Sequence, residues 1–143
     1  MPRKSVQKER RTQILAALNT CLQEKSFQQT SIKDIARAAG VNHGVLHYYF
    51  KSKEDILLCY IDYVMDHYRS LVEEWLNTKD TAGYARRDYI HAIFEFVNHK
   101  ITLNKELSRL FVEIWEIALY NEAVRDKLQQ TYTQWIETLT SII

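Results

Sequence analysis

His43 and His47 stand four residues apart, a spacing that places two imidazoles on one face of a helix. Such a pair could hold a metal ion, but no Cys, Asp or Glu lies beside it to complete a ligand set. Neither a metal nor a cofactor is therefore expected. Tyr48 and Gly44 share that helical face. Rings that donate and accept hydrogen bonds, set around a glycine that permits close approach, suit contact with the base edges and phosphates of a nucleic acid. Elsewhere the sequence offers no nucleophile–base pair, carboxylate constellation or metal cluster at workable spacing, so an enzyme is not expected.

Helices must position these groups. The chain has 143 residues with only three Gly and one Pro, too few breakers for a protein of hairpins, and the expected fold is all-α. Seven helices are expected. The first runs from about Val6 to Glu24, and a second carries Ile32, Ile35, Ala36 and Ala39 on one face after a cap at Thr30 or Ser31. Gly40 stands where a left-handed residue ends that helix, and Asn42 can cap a third that reaches about Tyr49. Ser52 caps a long fourth, to about Leu76, with Glu54 and Asp55 in its first turn. A fifth is expected between about Tyr84 and Ile101, with Asn104 and Asn121 opening the sixth and seventh.

Charge divides the chain where the pattern changes. Residues 1–53 hold ten Lys/Arg against three Asp/Glu, a net +7, whereas residues 54–143 hold nine against fifteen, a net −6. The expected domains are thus a basic head, 1–53, that meets a polyanion and a helical body, 54–143, that does not. The small residues Ala36, Ala39 and Gly40 with Val41 permit the tight crossing of a helix-turn-helix, and Leu46, Tyr49 and Phe50 should turn inward. His43, Gly44, His47 and Tyr48 are left as the reading surface. Cys21 and Cys59 sit in apolar helical patterns without a C-x-x-C pairing and read as buried, reduced thiols. No run is long and apolar enough for a signal peptide or membrane span, so a cytoplasmic protein is expected.

The stretch from Thr30 to Leu57, TSIKDIARAAGVNHGVLHYYFKSKEDIL, resembles the signature of the TetR family of bacterial regulators, and a basic arm with Arg3, Lys4, Lys8, Arg10 and Arg11 precedes it. The resemblance implies that Ser31 and Lys33 approach DNA and that His43, Gly44 and Val45 face base edges. It also implies that His47 and Tyr48 grip backbone or bases and that Lys53 meets a phosphate at the start of the fourth helix. With Asn42, these residues form the expected DNA-binding set. The family usually has Thr or Ser where this chain has Val45, and Tyr where it has His47.

The resemblance further implies a repressor that binds a palindromic DNA operator as a homodimer and is released by a small-molecule effector in its body. Trp75, Phe94, Phe111, Trp115, Tyr132 and Trp135 are the expected ligand-binding aromatics, although such stripes at helical spacing are more often plain core. Family members continue with two helices that form the dimer interface, and this sequence stops on Ile142-Ile143, so a shortened body is expected. The competing reading is a helical protein-interaction module without sequence-specific DNA binding. The +7 charge of the head argues against it.

Overall fold

A computed structural model describes residues 2–142, with side chains for 3–141. Ile142 and Ile143, on which the sequence stops, lie outside the described side chains. Among the described residues the fold is all-α, with seven α-helices and one π-helical turn. Two compact units divide it, residues 1–61 and 62–143.

The first unit contains α1 (Pro2–Glu24), α2 (Ile32–Ala39), α3 (His43–Tyr49) and the start of α4 (Lys53–Asn77). Its core is Ile14, Leu18, Ile35, Leu46, Phe50, Ile56 and Tyr60, each at most 1% exposed. The division falls at 61/62 rather than 53/54 because α4 adds Ile56, Leu57 and Tyr60 to this core, and the Tyr60 hydroxyl donates to Asn19 Oδ1 at 2.7 Å. Charge marks the start of α4. Burial places the division two turns later. Helix α1 begins at Pro2 rather than Val6, so the basic arm is helical, with proline where its missing N–H costs nothing. Cys21 is buried as expected, but Cys59 is only half-buried, with the Arg11 guanidinium donating to its sulfur at 3.5 Å.

Ser31 and Asp34 form a reciprocal cap at the start of α2. The Asp34 N–H donates to Ser31 Oγ at 3.1 Å, and the Ser31 N–H donates to Asp34 Oδ2 at 2.9 Å. Lys25 donates to the same oxygen at 2.7 Å. That ammonium, then the Ser31 backbone and hydroxyl donors, hold the Asp34 carboxyl well below the usual carboxylate range. A carboxylate whose pKa falls on folding stabilises the protein above its unfolded pKa, near 3.9, and that contribution fades as acid protonates it. Asp34→Asn should therefore lower the melting temperature at pH 7, with the gap from the parent narrowing below about pH 4. Thermal melts followed by circular dichroism at both pH values check this.

The second unit contains the remainder of α4, then α5 (Arg86–Val97), the π turn (Asn98–Thr102), α6 (Lys105–Tyr120) and α7 (Glu122–Ile142). The single fifth helix expected over 84–101 is shorter. Tyr84 falls in a turn whose N–H donates to Thr81 O, and after Val97 the hydrogen bonding widens to the π pattern, with the Leu103 N–H reaching Asn98 O at 3.1 Å. Val72, Leu76, Ile93 and Phe96 form one apolar cluster. Leu110, Ile114 and Ala118 of α6 and Val124, Leu128 and Thr131 of α7 are also buried. Asn104 and Asn121 cap α6 and α7 as expected, accepting from the Leu107 and Val124 N–H groups. Arg125 donates to the Ala118 and Leu119 carbonyls at 3.1 and 3.0 Å, closing the end of α6.

Candidate nucleic-acid interface

Three local devices set the pose of α3. Gly40 takes a left-handed conformation, φ 68°, and sends its N–H back to Arg37 O. Gln13 of α1 clamps the turn by donating to Ala39 O at 2.6 Å. Asn42 Oδ1 accepts from the Val45 N–H at 2.8 Å, capping α3. Leu46 and Phe50 anchor the other side at 0% and 1% exposure, and Tyr49 is half-buried.

The opposite face is open. His43, Gly44, His47 and Tyr48 are exposed, Tyr48 at 72% with its ring edge-on to Tyr49. The imidazoles of His43 and His47 converge, with their Nε2 atoms 3.3 Å apart. A Cβ at Gly44 would meet only Asn42 Oδ1, at 3.4 Å, so glycine here keeps the surface low rather than relieving a clash. Ser31 and Lys33 at the start of α2 are exposed as well.

Three members of the expected DNA-binding set sit differently. Asn42 spends its amide oxygen on the cap, and Val45 is half-buried. Lys53, also half-buried, lays its ammonium over the Phe27 ring at 4.3 Å and donates to Gln28 O at 3.5 Å. A phosphate contact from Lys53 would start from that seated position. Arg11, read in the sequence as part of the basic arm, is exposed but engaged within the protein. It donates to Tyr49 O at 3.0 Å and lies 4.6 Å from the Phe50 ring, tying the end of α3 to α1. Nothing local to residue 11 signals a partner 38 positions away.

The second unit holds a cavity of about 620 Å³. Phe111, Trp115, Tyr132 and Trp135 line it as expected, joined by Met65 and Tyr68 from α4. Trp115 Nε1 donates to the Tyr132 hydroxyl at 2.8 Å, and no charged side chain is among the described lining. Trp75 and Phe94 are not part of it. Trp75 packs on the Val72 cluster, its ring 5.5 Å from Phe96, and Phe94 is 71% exposed outside the cavity. Helical spacing put all six on α4–α7 but could not tell which faces meet.

Residues 14–59 match the model of bacterial regulatory proteins, tetR family. The chain is 31% identical to the HTH-type transcriptional repressor KstR2 of Rhodococcus jostii, across 74% of this chain and 61% of that protein. The segment 14–59 is thus of the TetR family. The chain is also 25% identical to the HTH-type transcriptional regulator BetI of Serratia proteamaculans, across 91% of this chain and 64% of BetI. The TetR fold is shared with a TetR transcription regulator of Haloarcula marismortui at TM-score 0.71 and 20% identity, covering 92% of this chain and 66% of the other. A regulator of Saccharomonospora viridis, solved in complex with choline, matches at TM-score 0.72 and 22% identity with the same coverage. The chain thus spans 61–66% of the length of these relatives. Among the described residues no helix is long and apolar enough to cross a membrane.

Proposed function

We propose that this chain is a one-component transcriptional repressor. Its head, residues 1–53, reads operator DNA, and its body, residues 54–143, takes a small-molecule effector and supports a homodimer. The observation that carries the reading is the exposed face of α3. His43, His47 and Tyr48 project from a helix fixed by the Gly40 turn and the Leu46 anchor, inside the segment that matches the family. A helix held proud in this way fits a major groove about 12 Å wide.

His43, Gly44, Val45, His47 and Tyr48 meet base edges or the adjoining backbone in this reading. Ser31, Lys33 and Asn42 flank them, and Lys53 contributes at the start of α4. A homodimer would present two such faces to a palindrome whose half-sites lie one helical turn, about 34–36 Å, apart. The name of the Rhodococcus relative supports repression. The protein acts in the cytoplasm and is not an enzyme.

The cavity is the effector site in this reading. Its lining and the Trp115–Tyr132 hydrogen bond suit a largely apolar molecule with one polar group. Helix α4 supplies Met65 and Tyr68 to the cavity and Ile56, Leu57 and Tyr60 to the core of the first unit, so one continuous helix can carry the response. An effector releases DNA only as far as it prefers the released state over the bound one.

Specific binding to a palindromic duplex from the DNA flanking the chain's own gene, weakened by an effector, tests the function as a whole. The arm has its own test. Arg3, Lys4, Lys8, Arg10 and Arg11 are all exposed, but Arg11 already donates to Tyr49 O. Changing Arg3, Lys4 and Lys8 to Gln should flatten the plot of log K against log salt by about 0.9 for each phosphate that these cations neutralise in the parent. An unchanged slope would assign the arm no role at the phosphates.

A further inference from the structure

We propose that His43 and His47 form a two-imidazole chelate for a late first-row divalent ion, Zn²⁺, Ni²⁺ or Cu²⁺, and that occupancy of this site competes with operator reading. The competition rests on the function proposed above; the chelate does not.

The geometry is the reason. Two imidazole nitrogens each about 2.0–2.1 Å from one ion, at a tetrahedral angle, stand about 3.3 Å from one another. The Nε2 atoms of His43 and His47 are 3.3 Å apart, with the rings crossed at 73°. Without an ion, that spacing is an N–H···N contact in which one ring donates and the other accepts. The donating ring shifts its proton from Nε2 to Nδ1, and an ion then binds the two Nε2 lone pairs in place of that proton.

The scaffold keeps the bite in place. Asn42 caps α3, Leu46 and Phe50 anchor it, and Arg11 ties its end to α1. Both rings are exposed, so an ion reaches them directly and water fills its remaining positions. Neutral nitrogen ligands without a carboxylate select zinc, nickel and copper over calcium and magnesium. Among the described residues no group of three or more His, Cys, Asp or Glu could hold a metal, so the chelate consists of two protein ligands. The sequence shows only that a third ligand is missing, whereas the structure shows that the first two already converge.

Occupancy has two opposed effects on DNA. The ion holds both Nε2 atoms, which can then no longer bond to bases. Its charge also strengthens attraction to phosphates of any sequence. The ratio of specific to non-specific affinity therefore falls.

The test is calorimetric titration of the untagged full chain with CuCl₂, NiCl₂ and ZnCl₂ in the absence of DNA. One ion per chain is expected, copper binding tightest. His43→Gln and His47→Gln should each weaken binding about tenfold or more, while His67→Gln and His91→Gln leave it unchanged. Circular dichroism of each variant verifies that α3 is still folded. Parent-like affinity in either α3 variant, or loss of binding in a body variant, overturns the chelate. In a second arm, nickel should lower the ratio of operator to scrambled-duplex affinity several-fold for the parent and not for His43→Gln. An unchanged ratio in a protein that binds nickel through the pair overturns the competition alone, and absence of any operator preference before nickel is added counts against the proposed function instead.

Discussion

Leu46→Ala is expected to cost about 2–5 kcal/mol of folding stability and to abolish specific DNA binding. Leu46 is completely buried on the inner side of α3, and the neighbouring helices are held by caps and turns that leave them little freedom to collapse into the space. A domain is stable by only about 5–15 kcal/mol, so one such cavity removes a large part of the reserve. The helix most exposed to that loss is α3 itself, seven residues long and too short to persist without packing. Urea or thermal unfolding followed by circular dichroism gives the stability, and fluorescence anisotropy gives the DNA affinity. Leu46→Met, which nearly conserves volume, should cost less than about 1.5 kcal/mol and retain binding. An Ala variant that melts with the parent would mean that α3 does not depend on this core.

The converse set of changes lies on the other side of the same helix. Tyr48→Ala and His47→Ala should each weaken operator binding by about 1–3 kcal/mol, a factor of roughly 5 to 150, while leaving the melting temperature within about a degree of the parent. Both residues are exposed, Tyr48 at 72%, so neither contributes much to the core. They are adjacent, and the double variant should lose a different amount from the sum of the singles. The separation of effects is what distinguishes a reading surface from a structural one: Leu46→Ala lowers stability and binding together, and Tyr48→Ala lowers binding alone. A Tyr48→Ala protein with parental affinity for the operator would remove that side chain from the interface.

Much of the head was legible because its determinants are local. Ser31, Gly40, Asn42 and Ser52 each act within three or four residues, and the inward set Leu46 and Phe50 follows directly from helical periodicity. What was not legible depends on contacts between distant positions. Arg11 looks like any arm cation until the carbonyl of Tyr49 is folded onto it, and Lys53 looks free until the Phe27 ring lies beneath its ammonium. The body shows the same limit more strongly. Six aromatics share helical spacing, and only packing decides that Phe111, Trp115, Tyr132 and Trp135 meet at a cavity, that Trp75 joins a core and that Phe94 faces outward. The π turn after Val97 likewise has no Gly or Pro to announce it.

Sequence-specific reading by the α3 face is the central claim, and one measurement addresses it directly. Fluorescence anisotropy with a palindromic duplex from the DNA flanking the chain's own gene, competed by a scrambled duplex of the same length at physiological salt, gives the ratio of specific to non-specific affinity. A ratio of about 10³ or more, lowered by roughly one to two orders of magnitude on changing Tyr48 to Ala, is the predicted result. Equal affinity for the two duplexes would contradict it.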